Sequence, residues 1–249
     1  MKTIIPDNAA ELIVLSKDIL AKHAADGAGS VLSGLNMADM QTKTTLADTQ
    51  HILAGNLNRD AETATEARDL ALGSEDAQQS ITPGTVLFYV TSIRDFLLGT
   101  FKGREHKLGD WEYEVNEGPA SDIGVLIPRR NAAELITLAK GILAKHAADG
   151  AGSILNPFNM ADMQTKTTAA ETQHTLSKKL TRNAETALET RNLAMGHARE
   201  QKTKTPGTVL FYITSARDVL LGIFRGREHQ LGGWGFTVDD GAPPPPPPP

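Results

Sequence analysis

The most apolar stretch of this chain, VLFYVTSIRDFLLGTF from Val86 to Phe101, places hydrophobic residues on nearly every side of a helix. Its only charged residues, Arg94 and Asp95, fall near the middle. The pattern predicts a helix that must be covered on more than one flank, and it is too short to cross a bilayer. The stretch returns as VLFYITSARDVLLGIF, Val209 to Phe224. Beyond each copy the spacing changes to period two, in Trp111-x-Tyr113-x-Val115 and Trp234-x-Phe236-x-Val238, which predicts a short strand.

The repetition extends far beyond these segments. With a constant offset of 123 residues and no gap, roughly two-thirds of positions 8–116 are identical in 131–239. The unit is much longer than a solenoid repeat, so the chain divides into a first helical repeat (1–116), a linker (117–130), a second repeat (131–240) and a proline-rich tail (241–249). The seven terminal prolines have fixed φ and no amide donors, which predicts a polyproline II segment.

Each repeat carries signals for three helices. Asn8 followed by Glu11, and Asn131 followed by Glu134, resemble a capping box, and Gly27 and Gly150 stop the helix that follows. Asn36 with Asp39, and Asn159 with Asp162, open a second helix that meets no proline until Pro83 or Pro206 and so runs to about Gly73 and Gly196. Thr82-Pro83 and Thr205-Pro206 predict the N-cap and first position of the third, which ends at Gly103 and Gly226. At 1.5 Å per residue these helices are roughly 25, 55 and 30 Å long. The fold class is therefore all-α, a repeated three-helix unit with one long central helix. A single repeat cannot enclose a core, so the third helix is expected to find its cover in the other repeat or in a second chain.

Composition narrows the chemistry. There is no cysteine, which excludes disulfides and thiolate nucleophiles. The apolar residues near the N-terminus are broken by Pro6, Asp7, Asn8 and Glu11, so no signal-peptide core forms; cytoplasmic residence is the default expectation, with leaderless export as the alternative. A net charge of −5 and the lack of aromatics among the basic residues of KGREHK and RGREHQ argue against nucleic acid as a partner. Those basic residues are instead expected to offset the C-terminal end of the third helix's dipole. No phosphate-binding loop, nucleophile elbow or triad is present, and no cofactor is expected.

Two histidine motifs stand out. Asp48 with His51 and Glu171 with His174 have the carboxylate–histidine i, i+3 spacing found in di-iron carboxylate bundles, although two further glutamates on other helices would be needed. The simpler expectation is a solvated helix face. Arg94 and Arg217 are expected to reach an acid on the second helix, such as Glu62 or Glu66 in the first repeat. Trp111 and Trp234 are expected to pack over the end of a bundle, the other reading being that they anchor a protein contact.

Charge separates the repeats most clearly. Residues 8–116 hold 9 Lys+Arg against 16 Asp+Glu, and residues 131–239 hold 13 against 10. SEDAQQSI in the first repeat becomes HAREQKTK in the second, introducing Arg199, Lys202 and Lys204. These features point to a non-catalytic structural or interaction protein that self-associates as a homo-oligomer, with unlike charge bringing the repeats together within a chain or head to tail between chains. Two other readings stand beside it: a metal-binding, di-iron-like bundle enzyme, and a leaderless exported adaptor whose proline tail meets a protein partner.

Overall fold

A computed structural model describes residues 2–73, 82–115, 125–129, 131–196 and 205–239. Among them are six α-helices and only short strands, an all-α architecture. The helices of the first repeat are α1 (Ala9–Asp26), α2 (Met37–Leu72) and α3 (Val86–Thr100). Those of the second are α4 (Ala132–Asp149), α5 (Met160–Met195) and α6 (Val209–Ile223), matching the first set in length at 18, 36 and 15 residues. The strands β1 (Lys2–Ile4), β2 (Glu114–Val115), β3 (Val125–Leu126) and β4 (Thr237–Asp239) complete the elements.

The capping residues read from the sequence are in place. Asn8 Oδ1 accepts the Glu11 amide at 2.8 Å, Asn131 Oδ1 accepts those of Ala133 and Glu134, and Asn36 and Asn159 each accept the amide three residues on at 3.1 Å. Each bond satisfies an N–H that the first helical turn would otherwise leave unpaired.

The third helix of each repeat starts later than its proline suggests. Gly84 takes φ +78° and Gly207 φ +77°, a left-handed conformation that no helical turn contains. Thr-Pro-Gly therefore forms a turn, and the cap passes to Thr85 and Thr208, whose hydroxyls accept the amides of Phe88 and Phe211. The helices close at Thr100 and Ile223, ahead of Gly103 and Gly226.

The strand signal also needs correction. Trp111 and Trp234 end 3-10 helices, Glu105–Trp111 and Glu228–Trp234, and only the residues beyond the next turn are extended. These extended residues pair with strands the sequence pattern did not reveal: β1 with β4 and β2 with β3, both antiparallel, in the registers Thr3↔Val238 and Glu114↔Leu126.

The helices assemble into two compact units whose boundaries cross the repeats. Unit 1 comprises residues 1–57 and 182–249, and unit 2 comprises 58–181. Both boundaries fall inside long helices, so the N-terminal part of α2 shares a unit with the C-terminal part of α5, and the reverse holds in unit 2. Within unit 1, α1 packs on α6; within unit 2, α4 packs on α3. The cover that each apolar third helix requires is thus the first helix of the other repeat. Two separate cores result among the described residues. One includes Leu12, Ile19, Leu32 and Met40 with Ile213, Leu220 and Trp234, and the other Leu135, Ile142, Leu155 and Met163 with Ile93, Leu97 and Trp111.

Candidate functional site

Along α2 the buried residues Met40, Ala47, Ala54 and Ala61 recur every seven positions, as do Met163, Ala170, Ser177 and Ala184 along α5. This is the spacing of a coiled-coil seam. A parallel row of the same spacing holds Thr44, His51, Asn58 and Thr65 on α2, and Thr167, His174 and Thr181 on α5. The histidines therefore belong to seam rows with polar members. In unit 1, His51 Nδ1 lies 3.2 Å from the Arg191 guanidinium. In unit 2 the equivalent histidine is different: both ring nitrogens of His174 are buried without a hydrogen-bond partner. Burial, then the charges of Lys178 and Arg68, hold its imidazole below the ordinary histidine range.

The carboxylates of the two histidine motifs face other partners. Asp48 pairs with Lys17 at 2.8 Å, and Glu171 with Lys140 at 2.7 Å, each joining the long helix to the first helix of the same repeat. Asp48 and His51 fall in unit 1, Glu171 and His174 in unit 2. Among the described residues no three His, Asp or Glu side chains form a metal-holding group. Arg94 and Arg217 also depart from expectation, because each binds the aspartate beside it, Asp95 at 2.6 Å and Asp218 at 2.7 Å. An adjacent carboxylate satisfies the guanidinium without a long reach to the second helix.

Both tryptophans are core residues, 4% and 3% exposed, so their indoles fill the units rather than face a partner. Lys145 Nζ lies 5.4 Å from the Trp111 ring centroid and Lys22 Nζ 5.6 Å from that of Trp234. These are cation–π contacts from the first helix of one repeat to the end of the other. Glu105 and Glu228 accept the amides of Gly103 and Gly226, and those backbone bonds hold both carboxyls below their usual range. Arg199, Lys202, Lys204 and the proline tail lie outside the described residues.

One pair of ties escaped the sequence reading. Tyr89 donates to Asp162 at 2.7 Å, and Tyr212 donates to Asp39 at 2.6 Å, each bond reaching from the third helix of one repeat to the first turn of the long helix of the other. The carboxylate gains from the helix N-terminus, while the phenol's bond to it raises both tyrosine pKa values. Neither tie has a local signal, since its partners lie 73 and 173 residues apart and only the exchange of elements between repeats brings them together.

Unit 2 also carries a groove of about 580 Å³ between its two-stranded sheet and the start of α4. Leu126, Ile127 and Leu138 line it, with the exposed carboxylates of Glu112, Glu114 and Glu134 and, among the described residues, no lysine or arginine. Glu112 is the one non-glycine among the described residues with positive φ, +65°. Its counterpart in unit 1 is Gly235, and that of Glu114 is Thr237, so two of the three acids are peculiar to unit 2. The exchange of elements also redistributes charge. Unit 1 holds 12 Lys+Arg against 13 Asp+Glu, and unit 2 holds 13 against 17, so the charge contrast between repeats is largely averaged out between units.

No protein-family model, curated protein or solved structure matches the chain. Within the described residues, no helix is long and apolar enough to cross a membrane.

Proposed function

We propose that this protein is a non-catalytic structural or interaction module that self-associates head to tail into an oligomer or filament. The observation that carries this reading is a pair of leucines that stand exposed among the described residues. Leu70 is 80% exposed and Leu193 is 71% exposed, and they occupy the same repeat position, in the last turn of α2 and of α5. Most other large apolar side chains near the ends of these helices are buried, among them Leu72 and Met195 two residues on. One such leucine in each unit gives the chain two apolar attachment points, and a contact joining unlike ends continues until geometry closes it.

Sedimentation velocity over a range of concentrations, at low and high salt, tests the reading. Self-association of the wild type is expected, with Leu70→Ser plus Leu193→Ser weakening it while leaving the melting temperature within a few degrees. A wild type that stays monomeric at high concentration and low salt removes the proposal.

A further inference from the structure

Resting on the reading that the protein self-associates, we propose that the groove of unit 2 receives the basic segment containing Arg199, Lys202 and Lys204 from a second copy of the chain. The groove combines an apolar floor, in which Leu126 is 56% exposed, with three carboxylates and no cation among its described lining residues. An occupant must bring positive charge on a segment slim enough to lie between a sheet and a helix end. HAREQKTK, residues 197–204, carries three Lys or Arg against one Glu.

The choice of this segment follows from how the repeats differ. In unit 1 the groove positions are Gly235, Thr237 and Glu11, and the matching segment of the first repeat, SEDAQQSI, has two acids and no base. Acid has accumulated on one groove and base on one segment, while the counterpart groove keeps a single acid and the counterpart segment has no base. The unit 2 groove sets three carboxylates against the basic segment where the unit 1 groove offers one, and the acidic segment matches neither groove. The groove belongs to unit 2 and the basic segment to the sequence of unit 1, so each chain offers one of each. The contact is heterologous and leaves a free groove and a free segment on every dimer.

Glu112 also fits this role. It holds a left-handed backbone conformation that its glycine counterpart adopts without steric cost, and in return it places a carboxylate at the groove.

The test uses full-length protein and a fluorescein-labelled HAREQKTK peptide, followed by anisotropy at low ionic strength. Binding is expected, weakening as salt rises because exposed charges are screened within about 8 Å at physiological ionic strength. Glu112→Gln, Glu114→Gln and Glu134→Gln together are expected to weaken it by about threefold to a hundredfold, the range for three exposed ion pairs. Glu11→Gln in unit 1 is expected to leave binding unchanged, and labelled SEDAQQSI is expected not to bind. Equal affinity for both peptides, or for wild type and the triple variant when circular dichroism shows both folded, overturns the proposal.

Sedimentation separates the two readings. Wild-type association that persists undiminished in the triple variant refutes the groove and leaves self-association standing. A monomeric wild type refutes self-association and, with it, a second copy as the occupant. Restoration of association when the triple variant is instead Glu112→Lys, Glu114→Lys and Glu134→Lys, and is paired with Arg199→Glu, Lys202→Glu and Lys204→Glu, supports the contact directly.

Discussion

Burial first, and then the charges of Lys178 and Arg68, lower the pKa of His174. Its repeat counterpart His51 has Gly55 four residues on, where His174 has Lys178, so only the second histidine has a lysine one turn away on its own helix. Its folded-state pKa lies below the ordinary 6.5 of an unfolded chain. Below pH 6.5 the unfolded chain therefore binds a proton more readily than the folded one, and stability must fall as pH drops from there through the depressed folded value. Melting curves between pH 7.5 and 5 are expected to show this decline, and His174→Gln is expected to make it shallower. Identical slopes would remove the assignment. The two tyrosine–aspartate bonds set a second expectation at this scale. Tyr212→Phe is expected to cost about 1.5 kcal/mol in urea unfolding, the usual worth of a hydrogen bond to a charged group. Asp39→Asn should then cost less in the Tyr212→Phe background than alone, which a double-mutant cycle measures.

At the scale of elements, the repeats accommodate each other by alternating bulk at one contact. In unit 2 the Glu112 side chain lies where a side chain at Gly141 would stand; in unit 1 the side chain is Asp18 and the glycine is Gly235. Gly141→Asp is expected to destabilise the protein by more than about 1 kcal/mol through overpacking, and adding Glu112→Gly is expected to recover the loss, as read by thermal melting. Failure of the second change to rescue the first would mean that the contact is not compensated in this way. Much at this scale was legible from local signals. Asn8, Asn36, Asn131 and Asn159 cap because an amide acceptor before an acid-bearing first turn works independently of tertiary structure. The third helix misled because Pro83 and Pro206 fit a helix start equally well, and the decisive residue was the glycine after each. The strands were invisible as a pair because β1 finds its partner more than two hundred residues away, in β4.

For the molecule as a whole, the sequence made clear that a single repeat lacks a core, but not that each core draws on both repeats. That outcome depends on which third helix meets which first helix, and the duplicated residues fit either choice. Its consequence is measurable. Residues 1–116 alone contain α1 and α3, which belong to different units and each lack the partner that buries them. Since covering one Leu or Phe is worth roughly 1.5–3 kcal/mol, the isolated half is expected to be unfolded or to form a dimer in which two copies exchange helices as the repeats do here. A monomeric half that melts with the full chain would refute the exchange. The seam histidines, by contrast, were legible as positions but not as roles. The i, i+3 spacing to Asp48 and Glu171 is real, yet the seven-residue row decides what surrounds the imidazole.

The two small sheets have the same construction, but only in one are the paired strands consecutive along the chain. β2 and β3 are joined directly through residues 116–124, whereas β1 and β4 are the first and last strands described and meet only through their hydrogen bonds. Topologically the chain behaves as a ring opened at one of two equivalent places. Joining residue 239 to residue 2 through a short glycine-rich bridge, and opening the backbone between Val115 and Val125, yields a circular permutant in which every helix keeps its partner. Such a permutant is expected to fold with a melting temperature close to that of the parent.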